Sequence, residues 1–369
     1  MTRGNLSAHG FGAVILRFNS FRMTSFSSRL IAWQRVQGRN DLPWQGEDAY
    51  HVWLSEIMLQ QTQVATVIPY YLRFIAAFPT ISVLAAATEE QVLAHWSGLG
   101  YYARGRNLHR SARIIVEKYH GEFPREFDQI LELPGIGRST ASAICALAFH
   151  ERRAILDGNV KRVLARYCGI AGLSSMKPQE AQLWQQAEAL LPQCDIAAYI
   201  QAQMDLGAML CTRAKPKCGV CPVSSDCSAF QTGRVNELPT PGRRKSVPER
   251  HATFLMLMHG NDIMLEKRPG SGIWGGLWCP PQLNGGQEEE ADYAQRNGIK
   301  TGERIALDEF THTFTHFKLH ITPVLLRVAQ KPQRVQQPGA LWLDVEQALQ
   351  AAIPAPVRKI LKALAAGGR

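Results

Sequence analysis

Four cysteines lie within seventeen residues and constrain how that part of the chain can fold. Cys211, Cys218, Cys221 and Cys227 are separated by six, two and five residues, with two prolines and a glycine among them. Turn-forming residues at this density let four thiols converge on one centre. We expect no secretory signal, and disulfides rarely persist in a reducing compartment, so the spacing favours a metal site.

Two kinds of four-thiolate centre fit this spacing. Zinc sites commonly use paired C-x2-C knuckles or histidine partners, and the loop contains only one such pair. An iron–sulfur cluster also takes four thiolates, and a single compact loop can hold one. The residues favour the cluster and leave zinc as an open alternative.

Length and charge limit the class of protein. The chain has 369 residues, 46% of them hydrophobic, and a net charge of +10. This length predicts two or three domains with ample material for their cores. The positive charge favours an acidic or polyanionic partner. No apolar run approaches the roughly 18 to 20 residues that span a bilayer, so a membrane protein is not expected.

The pattern of apolar residues divides the chain into four segments. Residues 1–22 are predicted to be a disordered extension or the product of an upstream start. Residues 23–227 are predicted to be helical, because apolar positions recur every three or four residues between breaks at Gly and Pro. Segment 228–250 is expected to be an exposed basic linker. Residues 251–369 contain short strand-like runs and a final helix, which indicate an α+β domain.

A glycine turn stands directly before a helix in "LPGIGRST". Pro134 and Gly135 favour a tight turn, and Gly137 leaves the backbone bare where the helix begins. Free N–H groups at a helix start attract a phosphate. Any helical hairpin can use such a turn, so the turn alone is weak support for phosphate binding.

Two carboxylates stand out from their surroundings. Glu56 lies in "YHVWLSEIMLQQTQV", a helix that is apolar on almost every side. Burying a carboxyl there is costly and raises its pKa, which lets it hold a proton at neutral pH. Asp157 lies in "LDGNVKRVLAR" before a basic helix, where a plain helix cap is the simpler interpretation.

Taken together, these features resemble the helix-hairpin-helix DNA glycosylase superfamily. The motifs "VWLSEIMLQQTQV", "GLGYYARGRNL", "LPGIGRSTA", "LDGNVKRVLAR" and the cysteine loop are similar to those of its MutY family. The resemblance continues in "EKRPGSGIWGGLWCPPQL" and "FTHTFTHFKLH". It implies a multidomain protein: an all-α helix-hairpin-helix glycosylase domain with an iron–sulfur loop, then an α+β Nudix-like C-terminal domain. No Nudix box of spaced glutamates is present, so pyrophosphate hydrolysis is not expected.

The resemblance also implies an activity. Members of this family excise adenine mispaired with 8-oxoguanine, or with guanine, in base excision repair, and carry one [4Fe–4S] cluster on the four cysteines. A base inside a duplex must be rotated out of the stack before it can be excised. The resemblance thus implies double-stranded DNA as the partner, a monomer without membrane contact, and a cytoplasmic, nucleoid-associated bacterial protein.

Catalytic roles follow by matching positions. Glu56 is expected to deliver a proton to N7 of adenine. Asp157, beside Asn159, Lys161 and Arg162, is expected to stay ionised and to stabilise the sugar cation. The DNA-contacting positions implied by the same motifs are Gln61, Tyr101, Pro134, Gly135, Gly137, Ser139 and Lys161.

Two further groups are implied by the resemblance. Trp44, Leu59 and Gln201 are the candidates for the adenine pocket. Phe314, Thr315 and His316 match a Phe-Ser-His loop that contacts 8-oxoguanine in the family. Threonine replaces serine here, so the hydroxyl is kept and the added methyl group leaves the contact itself open.

Two other functions remain as alternatives. An endonuclease III-like glycosylase and lyase needs a lysine immediately after the hairpin, and this chain has Ser139 there. A non-catalytic DNA-binding module would not account for Glu56 in an apolar helix. Lys161 lies one turn beyond Asp157 and could reach the abasic sugar adventitiously, so little strand cleavage is expected.

Overall fold

The computed structural model describes residues 25–173, 175–242, 246–283, 287–331 and 339–367. The predicted extension 1–22 lies outside these residues. None of the described helices is both long and apolar enough to cross a membrane.

The first part of the chain is helical, as predicted. Side-chain caps begin several helices: Asp48 accepts a hydrogen bond from the backbone of His51, and Thr88 forms a reciprocal capping box with Gln91. The helices are α1 (Phe26–Gln37), α2 (Ala49–Leu59), α3 (Val64–Ala77), α4 (Ile81–Ala86), α5 (Glu89–Trp96), α6 (Ala103–Tyr119), α7 (Phe127–Leu131), α8 (Arg138–Phe149), α9 (Gly158–Tyr167), α10 (Lys177–Ala189), α11 (Ile196–Asp205) and α12 (Ser228–Gln231).

The cysteine loop follows α11 without a regular helix. A π-helical turn spans Leu206–Leu210, and two 3-10 turns span Cys218–Val220 and Ser224–Asp226. The segment 228–250, expected to be exposed throughout, buries Leu238, which is 2% exposed. Its carbonyl accepts a hydrogen bond from Arg166 Nε at 2.8 Å. A buried guanidinium requires acceptors, and this part of the segment packs inward to supply one.

The second part is an α+β domain around a mixed sheet, as predicted. Strands β1 and β7 pair in parallel at the centre, and the path through the sheet is β3-β2-β1-β7-β5, with β4 on β1, β6 on β7 and β8 on β2. The elements are β1 (Glu249–His259), β2 (Asp262–Lys267), β3 (Trp278–Cys279), β4 (Gln282–Leu283), α13 (Gln287–Arg296), β5 (Thr301–Ala306), β6 (Phe310–Thr313), β7 (Lys318–Val328), β8 (Ala340–Asp344), α14 (Val345–Gln350) and α15 (Ala355–Gly367).

One buried apolar cluster spans the two parts, and each part also has a cluster of its own. Trp53 and Trp96 of the helical part belong to the same buried cluster as Phe254 and Trp278 of the sheet. Arg106 on α6 also donates a hydrogen bond across the boundary to the Gly275 carbonyl at 2.6 Å. This packing sets the turn between β6 and β7 against the loop that precedes α6.

Candidate active site

Glu56 lies in the C-terminal half of α2. Its neighbours Trp53, Leu54 and Met58 are fully buried. Burial, and secondarily the negative charge of Asp157, raise the pKa of Glu56 to about 7. Neither a cation nor a hydrogen-bond donor from the described residues opposes this shift. The carboxyl can therefore hold a proton near neutral pH.

Asp157 is the N-cap of α9. Its Oδ1 accepts a hydrogen bond from the Val160 backbone N–H at 2.7 Å. Burial raises the pKa of Asp157, while the backbone N–H groups of Val160 and Asn159 and the charges of Arg162 and Lys161 act to lower it. The cap thus orients the carboxylate, so the helix-cap and catalytic interpretations are compatible.

The two carboxyls of Glu56 and Asp157 differ in their partners. They are close enough for the charge of Asp157 to raise the pKa of Glu56, and two nearby carboxyls in a buried site cannot both ionise easily. Asp157 has backbone donors and two cations that favour its charged form, whereas Glu56 has neither. The asymmetry favours a protonated Glu56 beside an ionised Asp157.

Arg162 connects this site to the cysteine loop. Its Nη2 donates to Asn159 Oδ1 and to the Gly207 carbonyl, both at 2.8 Å, and its Nε donates to the Cys211 carbonyl at 2.8 Å. Gly207 allows this approach, because a Cβ there would lie 2.7 Å from the Cβ of Asn159. The position of Arg162 in the sequence did not predict this role.

The hairpin between α7 and α8 has the predicted glycine turn. Gly135 has φ +83°, and a Cβ there would lie 3.0 Å from Asn107 Nδ2. Gly137 is the N-cap of α8, has no side chain to satisfy the first N–H groups, and faces open space. These N–H groups are available to a phosphate oxygen.

Ser139 and Lys161 are both engaged within the protein. Ser139 Oγ accepts a hydrogen bond from Leu156 N at 3.0 Å, which ties α8 to the residue before Asp157. Lys161 Nζ pairs with Glu180 Oε1 of α10 at 2.7 Å. In this arrangement the polar groups of both side chains are bonded within the protein.

Gln61 and Tyr101 line a groove between the two parts of the molecule. Both are non-glycine residues with left-handed backbone, at φ 57° and 50°, and Tyr101 is 45% exposed. Phe314, Thr315 and His316 line the same groove of about 690 Å³. Tyr101 Oη and Thr315 Oγ1 lie 2.9 Å apart in a hydrogen bond. The groove thus brings together predicted residues from both parts of the chain.

Trp274 also lines this groove and was not singled out from the sequence. Like Gln61 and Tyr101 in the same groove, it is a non-glycine residue with positive φ, at 56°. Its ring packs on those of Phe314 and His312. Phe314 stacks in turn on Phe317, with ring centroids 4.4 Å apart. A tryptophan followed by two glycines in "GIWGGLW" was the signal that could have identified it.

The three adenine-pocket candidates occupy different environments. Trp44 is buried and packs edge-on against Tyr71, and Leu59 is a partly buried neighbour in the same core cluster. Gln201 is 7% exposed and lies on α11. The described contacts do not join Gln201 to the other two residues.

Asp205 orients the Gln201 amide. Gln201 Nε2 donates to Asp205 Oδ1 at 2.8 Å, and Asp205 also accepts from the backbone N and the guanidinium of Arg39. An ionised carboxylate only accepts, so the NH2 group of Gln201 must face it. The amide carbonyl is left to accept a hydrogen bond elsewhere. The pairing of Gln201 with Asp205 at four-residue spacing was a signal available in the sequence.

The four cysteines of the loop line one apolar pocket. Arg166 Nη1 lies 3.4 Å from Cys211 Sγ, and burial raises the pKa of Cys221 to about 11. Within the described residues, no three His, Cys, Asp or Glu side chains are gathered closely enough for a single metal ion. A four-iron cluster is larger than one ion and keeps its thiolates further apart, so four separated thiols around one pocket fit a cluster better than zinc.

Comparison with known families assigns both parts of the chain. Residues 54–189 match the HhH-GPD superfamily of base excision DNA repair proteins, and residues 252–363 match the NUDIX domain. A thermostable thymine-DNA glycosylase of known structure is 30% identical, with a TM-score of 0.52, and the match covers 56% of this chain and 95% of that one.

Curated relatives match across nearly the whole chain. An adenine DNA glycosylase from Buchnera aphidicola subsp. Acyrthosiphon pisum is 40% identical over 91% of this chain and 97% of its own length. The adenine DNA glycosylase of Homo sapiens is 35% identical over 92% of this chain and 74% of its own length. The chain therefore belongs to the adenine DNA glycosylase family and is a DNA N-glycosylase of base excision repair.

Proposed function

We propose that this chain excises adenine mispaired with 8-oxoguanine, or with guanine, from duplex DNA and leaves the sugar–phosphate strand intact. The observation that carries the proposal is the carboxyl pair, in which Glu56 has a pKa of about 7 beside Asp157 at a helix start. Breaking an N-glycosidic bond needs an acid for the leaving base and a negative charge beside the cationic sugar. These two carboxyls supply both.

DNA engagement precedes the chemistry. The free N–H groups at the start of α8, which the turn from Pro134 to Gly137 leaves uncapped, bind a backbone phosphate and anchor the strand, with Ser139 supporting the helix behind them. Gln61 and Tyr101 then enter the duplex from the groove, where an amide and an aromatic ring can fill the space left by the flipped adenine.

Glu56 acts first in the chemical step. Glu56 transfers its proton to N7 of adenine. The bond between C1′ and N9 then breaks, and the electron pair of that bond leaves with the base. Asp157 stabilises the resulting sugar cation by its charge or by a transient bond, and Asn159 helps to shape this site. Water then adds to C1′ and returns a proton to Glu56.

Base recognition rests on Trp44, Leu59 and Gln201. Trp44 and Leu59 supply apolar surface for the purine. The carbonyl of Gln201, left free by the bond to Asp205, accepts a hydrogen bond from the exocyclic amine of adenine. A base with a carbonyl at that position would leave two acceptors facing each other.

Recognition of the opposite base rests on the groove. Phe314 and His316 offer stacking surface, and Thr315 offers a hydroxyl that already bonds to Tyr101. This contact connects the side chain that enters the duplex with the side chain that contacts 8-oxoguanine.

The cysteine loop is proposed to carry one [4Fe–4S] cluster on Cys211, Cys218, Cys221 and Cys227. Bound there, the cluster supplies structural cross-linking of the loop. The loop also carries Lys215 and Lys217, whose charges suit a phosphate-binding surface.

Base release without strand cleavage follows from the side chains at the hairpin. A lyase forms a Schiff base through an amine, and Ser139 offers only a hydroxyl, which is bonded to Leu156 N. Lys161, the lysine of α9, is paired with Glu180. DNA contact by Lys161 requires that this ion pair open.

Within this function, residues 23–227 excise the base and residues 251–369 recognise the damaged base opposite it, with residues 228–250 as the linker between them. The protein acts as a monomer and is associated with the bacterial nucleoid.

A single-turnover assay tests the proposal. Adenine opposite 8-oxoguanine is expected to be released fastest, and adenine opposite guanine more slowly. Adenine opposite thymine should not be released. Strand cleavage should require alkali or heat. Glu56→Gln should bind the mispair and release almost no adenine; normal excision by this variant, or nicking in step with base release, contradicts the proposal. A broad visible absorbance in the purified protein would support iron–sulfur over colourless zinc.

A further inference from the structure

Arg104 lies in the first turn of α6 with its side chain folded into the protein. It is 9% exposed, and burial lowers the pKa of its guanidinium to about 10. Burying a cation is unfavourable unless its N–H groups find acceptors. The acceptors of Arg104 lie at the C-terminal end of α2 and on the two loops that carry Gln61 and Tyr101.

One arm of the guanidinium closes the end of α2. Nη1 donates to the carbonyls of Ile57, Met58 and Gln60 at 2.9, 2.7 and 2.6 Å. These are the carbonyls that a helix end leaves without partners, and a cation there also suits the negative end of the helix dipole. This arm therefore fixes the backbone immediately before Gln61.

The other arm reaches across to the second loop. Nη2 donates to Thr62 Oγ1 at 3.0 Å and to the Gly100 carbonyl at 3.3 Å. The guanidinium carbon lies 5.3 Å from the ring centroid of Tyr101. One planar group thus bonds to the Gln60 carbonyl and the Thr62 hydroxyl on either side of Gln61, and to the Gly100 carbonyl before Tyr101.

Both loops need such support. Gln61 and Tyr101 adopt left-handed backbone conformations, which non-glycine residues avoid unless their surroundings enforce them. Each of these residues is exposed at the groove, so burial of its own side chain contributes little to holding the turn.

We propose that Arg104 is a positioning residue for base excision, whose guanidinium locks the Gln61 turn and the Tyr101 turn to each other so that both side chains enter the duplex together. The inference rests on the proposed roles of Gln61 and Tyr101. Arg104 sets the distance between the Gln61 turn and the Tyr101 turn, because it bonds to both loops.

Arg104→Lys tests the two-armed geometry. A lysine keeps the charge and can donate to the α2 carbonyls, but one ammonium cannot also span to Gly100 as a planar fork does. We expect single-turnover adenine release at saturating enzyme to fall roughly 10- to 100-fold, because misplacement by about 1 Å has effects of this size. The pH at which the rate is half-maximal should stay unchanged, since Glu56 is retained. Arg113→Lys, at an exposed arginine on the same helix, is the matched control and should behave like the wild type.

Thr62→Val provides a second variant that keeps the guanidinium. It removes the Oγ1 acceptor of Nη2, together with the long bond of 3.4 Å that Oγ1 donates to the Gln60 carbonyl. We expect a smaller fall of about fivefold, as for one lost hydrogen bond. Thermal midpoints of both variants show whether the fold persists. With 2-aminopurine in place of adenine, fluorescence on binding should report less base flipping in both variants.

Double variants separate this inference from the proposed function. If Arg104 acts through Tyr101, adding Arg104→Lys to Tyr101→Ala should lower the rate little further. Fully additive effects, or a wild-type rate and fluorescence for Arg104→Lys, would overturn the inference while Tyr101→Ala remains impaired. Normal excision by both Gln61→Ala and Tyr101→Ala would instead overturn the proposed roles of those side chains, and the inference with them.

Discussion

The carboxyl pair and the groove differ in burial and in which parts of the chain supply their residues. Glu56 and Asp157 lie on helices within one part of the protein, where burial sets their ionisation. Tyr101 and Thr315 come from different parts of the chain and meet at an exposed surface through one hydrogen bond. A low-dielectric interior magnifies electrostatic effects, whereas a solvated surface weakens them. Substitutions at the two carboxyls should therefore lower the excision rate greatly. Substitutions in the groove should change the preference for one mispair over another by only a small factor.

After the loss of excision expected for Glu56→Gln, the largest effect is expected from Asp157→Asn. Asparagine keeps a side-chain oxygen for the Val160 N–H, so α9 retains its cap, but the negative charge beside the sugar cation is lost. We expect a fall of about 1000-fold in single-turnover adenine release. Asp48→Asn, which changes the cap of α2 in the same way, should leave the rate near that of the wild type. A rate within tenfold of wild type for Asp157→Asn would remove the charge-stabilising role.

Glu56→Gln should stabilise the protein at alkaline pH. The pKa of Glu56 is raised from 4.5 to about 7 on folding, so its contribution to stability is present at acidic pH and lost as the pH rises through about 7. Glutamine does not ionise. At pH 8 we expect the variant to exceed the wild type by about 1 to 3 kcal/mol, with the difference shrinking towards pH 5.

Unfolding measured across this pH range in the wild type and in Glu56→Gln gives the difference directly. A constant difference would show that Glu56 titrates normally in the folded state. The excision rate of the wild type should likewise decline as the pH rises above about 7, because the acid is then deprotonated.

Asp205→Asn should change base selectivity by a smaller factor. Its amide can donate to Gln201, which allows the Gln201 amide to turn over and present its NH2 group to the base. We expect the preference for adenine over hypoxanthine to fall about tenfold, as for one mispaired polar group. Asp195→Asn, in a surface ion pair with Arg35 beside the same helix, is the control. Unchanged selectivity in Asp205→Asn would contradict the orienting role.

The smallest effect is expected at the groove. Thr315→Val removes the hydroxyl that bonds to Tyr101, and the preference for 8-oxoguanine over guanine opposite adenine should fall roughly threefold. Thr311→Val is the control, because Thr311 bonds to His320 instead. Competition between the two duplexes measures the ratio. A loss of excision on both duplexes would mean that the groove and the carboxyl pair are not separable.

Much of the architecture could be read from local patterns. Helical periodicity predicted the first part of the chain, short apolar runs predicted the sheet, and both are confirmed. Glu56 stood out because its neighbours along the helix are apolar. Arg104, Arg162 and Asp205 did not stand out, since each also bonds to a residue more than 40 positions away in the chain: Met58, Gly207 and Arg39, respectively.

The sequence by itself determined the helices, the glycine turn at Gly135, the grouping of four cysteines and the family, because each depends on neighbours along the chain. Only the tertiary structure decided that Asp157 raises the pKa of Glu56, that Ser139 and Lys161 are engaged internally, and that Tyr101 meets Thr315. Charge interactions, desolvation and hydrogen bonds depend on distances through space. Those distances exist only once residues far apart in the chain have packed together.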